Sequence, residues 1–444
     1  MISAVRNYLV TPSVMPAGKK TRVTVRPTGE NTAFTPGSSY TVRIFGENTG
    51  TLRFDRLVFD EYTLTPDGKG DLVFDHAFCG EQKHVIKIYR PDSDKDLRYT
   101  SINYGRRRRP SNDTAALPVY SLEEDLYGMR ALKGEFHCHT ILSDGEQDVC
   151  HTVGNYRAGG FDFLALTDHY LMEPSEESLE IFRDAPVSMT LTRGEEVHYQ
   201  PTERIHAVNW GGRDSVNRYW RNHPDLVRAE AEAIMAELPP LPANVDREDY
   251  AYRVWCSRKT HEFGGLSLLC HPHWVWSDMN FVPDYVTEQL IKDRVYDCLE
   301  LTNNTTNDMT VDLWSELRSR GADIPVVGCS DSHNTNLEYM ERPASRYSYV
   351  LARSRDTESI IEAVKAGRSA AVDAVDRRLW VFGPYRIAKF ARFIADTFDP
   401  VYQKLCEPQG FLLAEYYDKK PDTDRLLAMH NERSEAYARS FYGY

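Results

Sequence analysis

Apolar and polar residues alternate through most of the first hundred positions. The segments TRVTV (21–25), SYTVRIF (39–45), TLRFDRLVF (51–59), GDLVF (70–74) and KHVIKIY (83–89) repeat with period two or are rich in β-branched and aromatic residues. Such a period sends successive side chains to opposite faces of a strand. Turn signals such as NTG and PDGKG separate these runs. Several short strands at this spacing predict a β-sandwich, immunoglobulin-like, over residues 1–100. No titratable cluster stands out there, so a packing or docking module is expected. Residues 101–130 read as a linker, because YGRRRRPSNDT offers four arginines, a proline and polar residues. An arginine run can bind phosphate or act as a localisation signal, but in a chain this rich in acids it is expected to be solvated or paired.

From residue 131 the pattern changes. Short apolar runs of strand length (FDFLALTDH, SMTLTRGEEVH, RIHAVNW, GLSLLCHPH, YDCLELTN, IPVVGCSDSH and RYSYVLA) alternate with helical stretches such as DLVRAEAEAIMAEL and TESIIEAVKAG. Apolar strands separated by helices predict a parallel sheet buried on both faces, and hence an α/β barrel over residues 131–383. The remainder, 384–444, reads as a helical extension with amphipathic stretches, packing on the barrel or on a partner subunit.

The apolar runs end in a recurring set of side chains. GEFHCHTILSDG brings His137, His139 and Asp144. FLALT runs into Asp168 and His169, and MTLTRG into Glu195 and Glu196. RIHAVNW carries His206. SLLC is followed by His271 and His273, and PVVGCS by Asp331 and His333. In a parallel barrel the C-terminal strand ends converge on one face, where chemistry sits. Residues i and i+2 of a strand point the same way, so His137 with His139, and Asp331 with His333, can each clasp one ion. Imidazole and carboxylate together suit zinc, iron or manganese. A glutamate, Glu196 or Glu195, can bridge two ions, and two or three ions can generate a hydroxide at neutral pH and clamp a phosphoryl group. A lone buried histidine is usually a core residue, but so many metal-type residues at strand ends of one domain point to a site. His273 shares a face with His271 as a reserve ligand, while His151 and His261 fall on helices and read as structural.

Composition narrows the partners. The hydrophobic fraction of 41% supplies a core, and the net charge of −13 argues against nucleic acid or an anionic membrane as the main partner. No run reaches the roughly 18 apolar residues a membrane span needs, and the N-terminus shows no apolar signal region. The eight cysteines are scattered with no CxxC pair. A cytoplasmic location, a small-molecule substrate and a possible homo-oligomer are expected, and the net charge says nothing against an anionic substrate.

At these residues the sequence resembles the PHP family, the polymerase and histidinol phosphatase domain. The stretches HCHTILSDG, LALTDH, GEE, IHAVNW, LLCHPH and GCSDSH follow the family's order across residues 131–375. The resemblance implies a distorted (β/α)7 barrel with a trinuclear site of two to three divalent ions. It implies that His137, His139 and Asp331 hold one ion, bridged by Glu196 to a second held by His206 and His271. A third would sit on Asp144, His169 and His333. The family's Gly-x-Glu pattern selects Glu196 over Glu195. Glu135 stands where an aspartate is common. The implied activity is metal-dependent phosphoester hydrolysis, with His137, Glu196 and Asp331 in the catalytic site and His273 or Tyr170 as candidate proton donors. Arg193 or Lys259 could hold a distal phosphate, though on so acidic a chain each reads first as a structural cation. The N-terminal sandwich and helical tail look more like the CehA/McbA-type metallohydrolases, a branch named for a carbamate ester hydrolase. That likeness leaves hydrolysis of a non-phosphorus ester or amide, or a metal-stabilised binding protein, as the alternatives.

Overall fold

The computed structural model describes residues 7–29, 32–47, 59–89, 113–198, 205–275, 284–303, 307–336, 345–375 and 378–444. The strand read across residues 51–59 falls, up to residue 58, outside these, and so does the Arg106–Arg109 run. The chain is mixed α/β and divides into two compact units. One comprises residues 1–128, 393–401 and 435–444, the other 129–392 and 402–434. None of the described helices is long and apolar enough to cross a membrane.

The first unit holds two sheets. Strands Tyr8–Thr11, Lys20–Pro27 and Leu72–Ala77 form one, in that order. The other runs Val14–Pro16, Asp113–Leu122, Gln82–Tyr89, Tyr40–Gly46, Asp60–Leu64. Val23, Val25 and Phe74 from the first sheet and Val42, Ile86 and Val119 from the second share one apolar core. Strand Asp113–Leu122 lies within the stretch read as a linker. Its period-two signal is present, with Ala115, Leu117 and Val119 buried and Ala116 exposed. The neighbouring arginines and Pro110 hid it. The chain's C-terminal end returns to this unit, where Ser13 N–H donates to the Phe441 carbonyl at 2.7 Å.

The second unit has a six-stranded sheet, ordered Thr190–Leu191, Phe163–Leu164, Arg130–Glu135, Arg346–Ala352, Ser369–Asp373, Trp380–Phe382. A five-stranded sheet runs Gly194–His198, His206–Trp210, Leu266–Leu269, Cys298–Thr302, Val326–Gly328. The all-parallel expectation fails here. Gly194–His198 pairs antiparallel with His206–Trp210, which in turn pairs antiparallel with Leu266–Leu269. The connection over residues 199–205 is shorter than the dozen or so residues a parallel crossover needs. Single bridges beyond the strands, Cys138 with Ser332 and His169 with Glu196, link the two sheets at the ends where the metal-type residues cluster.

The helical extension read over 384–444 forms helices Tyr385–Thr397, Asp399–Tyr417 and Thr423–Tyr442. Within the second unit, Gly410 meets Gly154 of helix Val149–Ala158. A Cβ on Gly154 would stand 2.7 Å from the Gly410 carbonyl oxygen, and one on Gly410 would collide with the Gly154 carbonyl. Both glycines are therefore required by close approach rather than by backbone angles. Gly154→Val is expected to cost about 3 kcal/mol by overpacking a rigid backbone contact. Chemical denaturation measures it; an unchanged midpoint would refute the contact.

Candidate metal centre

Strand geometry sorts the paired glutamates first. Glu195 and Glu196 point to opposite faces of Gly194–His198. Glu195 is fully buried and fully engaged: it accepts from Ser215 Oγ, the Val216 N–H and the side-chain amides of Asn209 (2.9 Å) and Asn217 (3.0 Å). It anchors the start of helix Val216–Asn222. Glu196 faces the histidines instead. The Gly-x-Glu reading and the geometry select the same residue.

Around Glu196 four donor atoms converge. His137 Nε2 lies 3.2 Å from His139 Nε2 and 3.4 Å from Asp331 Oδ1. His139 Nε2 is 3.1 Å from Asp331 Oδ1. Glu196 Oε2 is 3.4 Å from His137 Nε2 and 3.6 Å from His139 Nε2. A tetrahedral ion with bonds of about 2.0–2.1 Å sets its ligand atoms about 3.3–3.4 Å apart. Five of the six edges lie near that length, and the atoms of His137, His139 and Glu196 all fall within 4.8 Å of one another. Glu196 Oε2 is buried among imidazoles without a hydrogen-bond partner among the described residues. An acceptor left so in a protein interior carries a desolvation cost of about 1–3 kcal/mol or more, which a cation removes. The donor set fits a divalent ion.

Two further groups adjoin it. Glu196 Oε1 lies 2.7 Å from His206 Nδ1 and 3.2 Å from His271 Nε2. Asp144 Oδ2 lies 3.2 Å from His169 Nε2 and 3.3 Å from His333 Nε2. The structure thus brings together His137, His139, Asp144, His169, Glu196, His206, His271, Asp331 and His333. His273 stands apart from these groups. Its Nδ1 pairs with Asp284 Oδ1 at 2.7 Å, and its backbone adopts φ +70°. Lys259 pairs with Glu262 and Glu230 over the Tyr219 ring, and Arg193 lies near Glu176. Neither has a described contact with the histidines.

The electrostatics reflect crowding of one sign against the other. Burial pushes the Glu196 carboxyl up, but the charges of His169, His137, His198 and His206 pull it well below the usual carboxylate range. Asp331 follows the same pattern: burial is overcome by His137, His139 and His271. Burial, reinforced by His169 and His333, drives His139 down to about 3. His169 goes the other way. Burial opposes its charge, yet Glu196 and Asp144 raise it to about 10. Neighbouring imidazoles driven in opposite directions are what a site arranged for cations looks like when it must balance on protons.

Buried residues around these groups hold the ligand-bearing ends in place. Asp168 Oδ1 accepts from the Thr140 N–H (2.9 Å), Thr140 Oγ1 (2.9 Å) and Ser143 Oγ (2.7 Å), pinning the turn that carries Asp144. Glu135 is fully buried, and burial raises it to about 8 despite its donors. It accepts from the His137 N–H at 3.1 Å and the Ser330 N–H at 3.0 Å, tying the His137 segment to the Asp331 segment. Asp331 takes φ +46°, a left-handed conformation that costs a non-glycine residue about 1 kcal/mol or more and persists where surroundings enforce it.

Three contributors lie outside the ligand set assigned from the sequence. Glu300 sits in mid-strand in CLELT, where an acid breaks an apolar run; that interruption was the signal. Its Oε2 accepts the His271 N–H at 2.6 Å, and its Oε1 lies 3.4 Å from His137 Nδ1. Neither of those two facing atoms has a hydrogen-bond partner among the described residues, so Glu300 holds the His271 backbone and supplies negative charge behind the His137 ring. Glu300→Gln is expected to weaken metal binding by about 10- to 100-fold, read by competition with a chromophoric chelator; unchanged affinity would refute the role. Trp274 packs its ring on His206, with centroids 4.9 Å apart. His198, two residues beyond Glu196, is the third.

No protein-family model matches the sequence, and none of the curated proteins matches it. Solved structures give partial matches. One is a two-domain Bacteroides vulgatus protein containing a predicted PHP-like metal-dependent phosphoesterase, at 17% identity over 55% of this chain and 66% of that one, just under two thirds, with a TM-score of 0.36. A candidate metal-dependent phosphoesterase from Bifidobacterium adolescentis matches at 18% identity over 46% of this chain and 89% of its own, TM-score 0.32. An amidohydrolase from Chromobacterium violaceum with bound sulfate matches at 16% identity over 45% and 87%, TM-score 0.31. The chain is similar to these hydrolase structures over about half its length.

Proposed function

We propose that the chain is a metal-dependent hydrolase of the PHP type that cleaves a phosphoester at a di- or trinuclear centre. The convergence of His137, His139, Glu196 and Asp331 at ligand-edge spacing carries this reading. The family's motif order over residues 131–375 supports it. The bridges Cys138–Ser332 and His169–Glu196 support a distorted (β/α)7 barrel, because they join the two sheets into a ring at the site end. The N-terminal sheets that share one core support an immunoglobulin-like sandwich.

His137, His139, Asp331 and Glu196 would hold one ion, Glu196, His206 and His271 a second, and Asp144, His169 and His333 a third. Zinc, iron and manganese all suit imidazole with carboxylate. When bound, such ions acidify water and neutralise charge on a phosphoryl group. The chain's own residues orient and exclude. Glu135 fixes the His137 backbone and Glu300 the His271 backbone, and Asp168 holds the Asp144 turn. Trp274 covers the His206 and His271 side. His273, held by Asp284 at Nδ1, has no described contact with the ligand groups and takes no part in this reading. Eight free thiols suit a reducing, cytoplasmic setting.

A panel of mono- and bis-nitrophenyl phosphates and nitrophenyl carboxyl esters tests the reading. Metal-dependent turnover of a phosphate ester is expected. Turnover of carboxyl esters alone would replace it with a non-phosphorus ester or amide hydrolase, and metal binding with no hydrolysis would leave a metal-stabilised binding protein.

A further inference from the structure

His198 occupies a place that no ligand assignment uses. It lies two residues after Glu196 on the same strand, so both side chains share a face. Across the antiparallel ladder it stands directly opposite His206, and the two rings approach to 4.2 Å. The residue is buried, with 8% of its surface exposed. Its Nε2 lies 2.6 Å from His169 Nδ1 and 3.3 Å from Glu196 Oε2. Glu196 Oε2 is in turn 2.6 Å from His169 Nδ1 and has no aligned hydrogen bond among the described residues.

His169 therefore shows different nitrogens to different groups. Its Nε2 faces Asp144, whose side chain is half exposed, and its Nδ1 faces fully buried Glu196 together with His198. Resting on the metal-dependent reading above, we propose that His198 is a metal-ligating side chain. It closes, with His169 Nδ1 and Glu196 Oε2, an inner donor group for a divalent ion of borderline softness; the two 2.6 Å separations at His169 Nδ1 are hydrogen-bond distances that would widen toward the ligand edge of about 3.3 Å when an ion enters. Two of its three donors are imidazoles, which favours zinc, cobalt(II) or iron(II) over magnesium or calcium.

A neutral imidazole has one lone pair, so His169 serves the outer group, with Asp144 and His333, or the inner group, with His198 and Glu196, but not both at once. The inner group adds a second position for one ion rather than a further ion. The outer group is open to solvent at Asp144, whereas Glu196 and His198 of the inner group are buried.

Cobalt(II) titration of the metal-stripped full chain tests this, with visible absorption and a competing chelator as readouts. His198→Ala and His198→Gln are compared with the unsubstituted protein, and the steps belonging to His137, His139 and Asp331 serve as the internal check on folding. Expected is a loss of about tenfold or more in affinity in one cobalt step, with a changed visible band, while the tightest step persists. Identical step affinities and spectra in both variants would overturn the inference while leaving the metal-dependent reading intact. Absence of any cobalt binding by the unsubstituted chain would overturn both.

Discussion

Glu196→Ala is expected to lower kcat/KM by about a thousandfold or more and to remove at least one bound ion. The reasoning follows from position. Both oxygens of Glu196 are committed, Oε2 toward His137, His139 and His169, and Oε1 toward His206 and His271. Asp331 also lies near His137, His139 and His271, but Glu196 presents a separate oxygen to each group. Metal assistance supplies several kcal/mol of transition-state stabilisation, and about 4 kcal/mol corresponds to a factor near a thousand. Glu196→Gln keeps the shape but not the charge that the surrounding imidazoles oppose, so it should lose metal as well. Kinetics on the best nitrophenyl substrate, with metal content measured on the same samples, decide the matter. Full activity in the alanine variant would remove Glu196 from the centre.

Arg157→Met is expected to cost about 3–5 kcal/mol of stability without touching the metal groups. Arg157 is fully buried. Its Nε and Nη2 donate to Gln409 Oε1 at 2.9 and 2.8 Å, and its Nη1 to the Phe161 carbonyl at 2.9 Å. The guanidinium also lies 5.7 Å from the Tyr402 ring centroid, and Tyr402 donates to Asp162 at 2.9 Å. Gln409 continues the network to Ser434 at 3.0 Å. Methionine fills similar volume but leaves the Gln409 and Phe161 oxygens buried and unpaired. Lysine would not rescue it, because a point charge cannot replace a planar fork. Denaturant unfolding should show the loss. A variant as stable as the parent would mean that this network does not hold helix Asp399–Tyr417 to its own unit.

The sequence made some of this visible and hid the rest for physical reasons. The groupings around His137, Glu196 and Asp331 could be read because the ligands sit at strand ends, where apolar runs stop and period two fixes the side-chain direction. Helix Thr357–Lys365 was legible from its apolar periodicity, and its capping Asp356 accepts from the Ser359 N–H group. Strand polarity was not legible. Direction is decided by connection length and pairing, so the antiparallel partners of His206–Trp210 escaped a reading based on alternation. Strand Asp113–Leu122 was masked by flanking charge. Glu135, Asp168 and Glu300 carry roles that exist only through backbone N–H groups and loops brought from elsewhere in the chain, which spacing along one sequence does not encode.

The central claim is that these side chains hold divalent metal. Elemental analysis of the purified full chain, before and after supplementation with zinc, iron(II) or manganese, tests it most directly. Two to three ions per chain, reduced in Glu196→Ala, is the predicted result. A protein that remains metal-free after supplementation would contradict it.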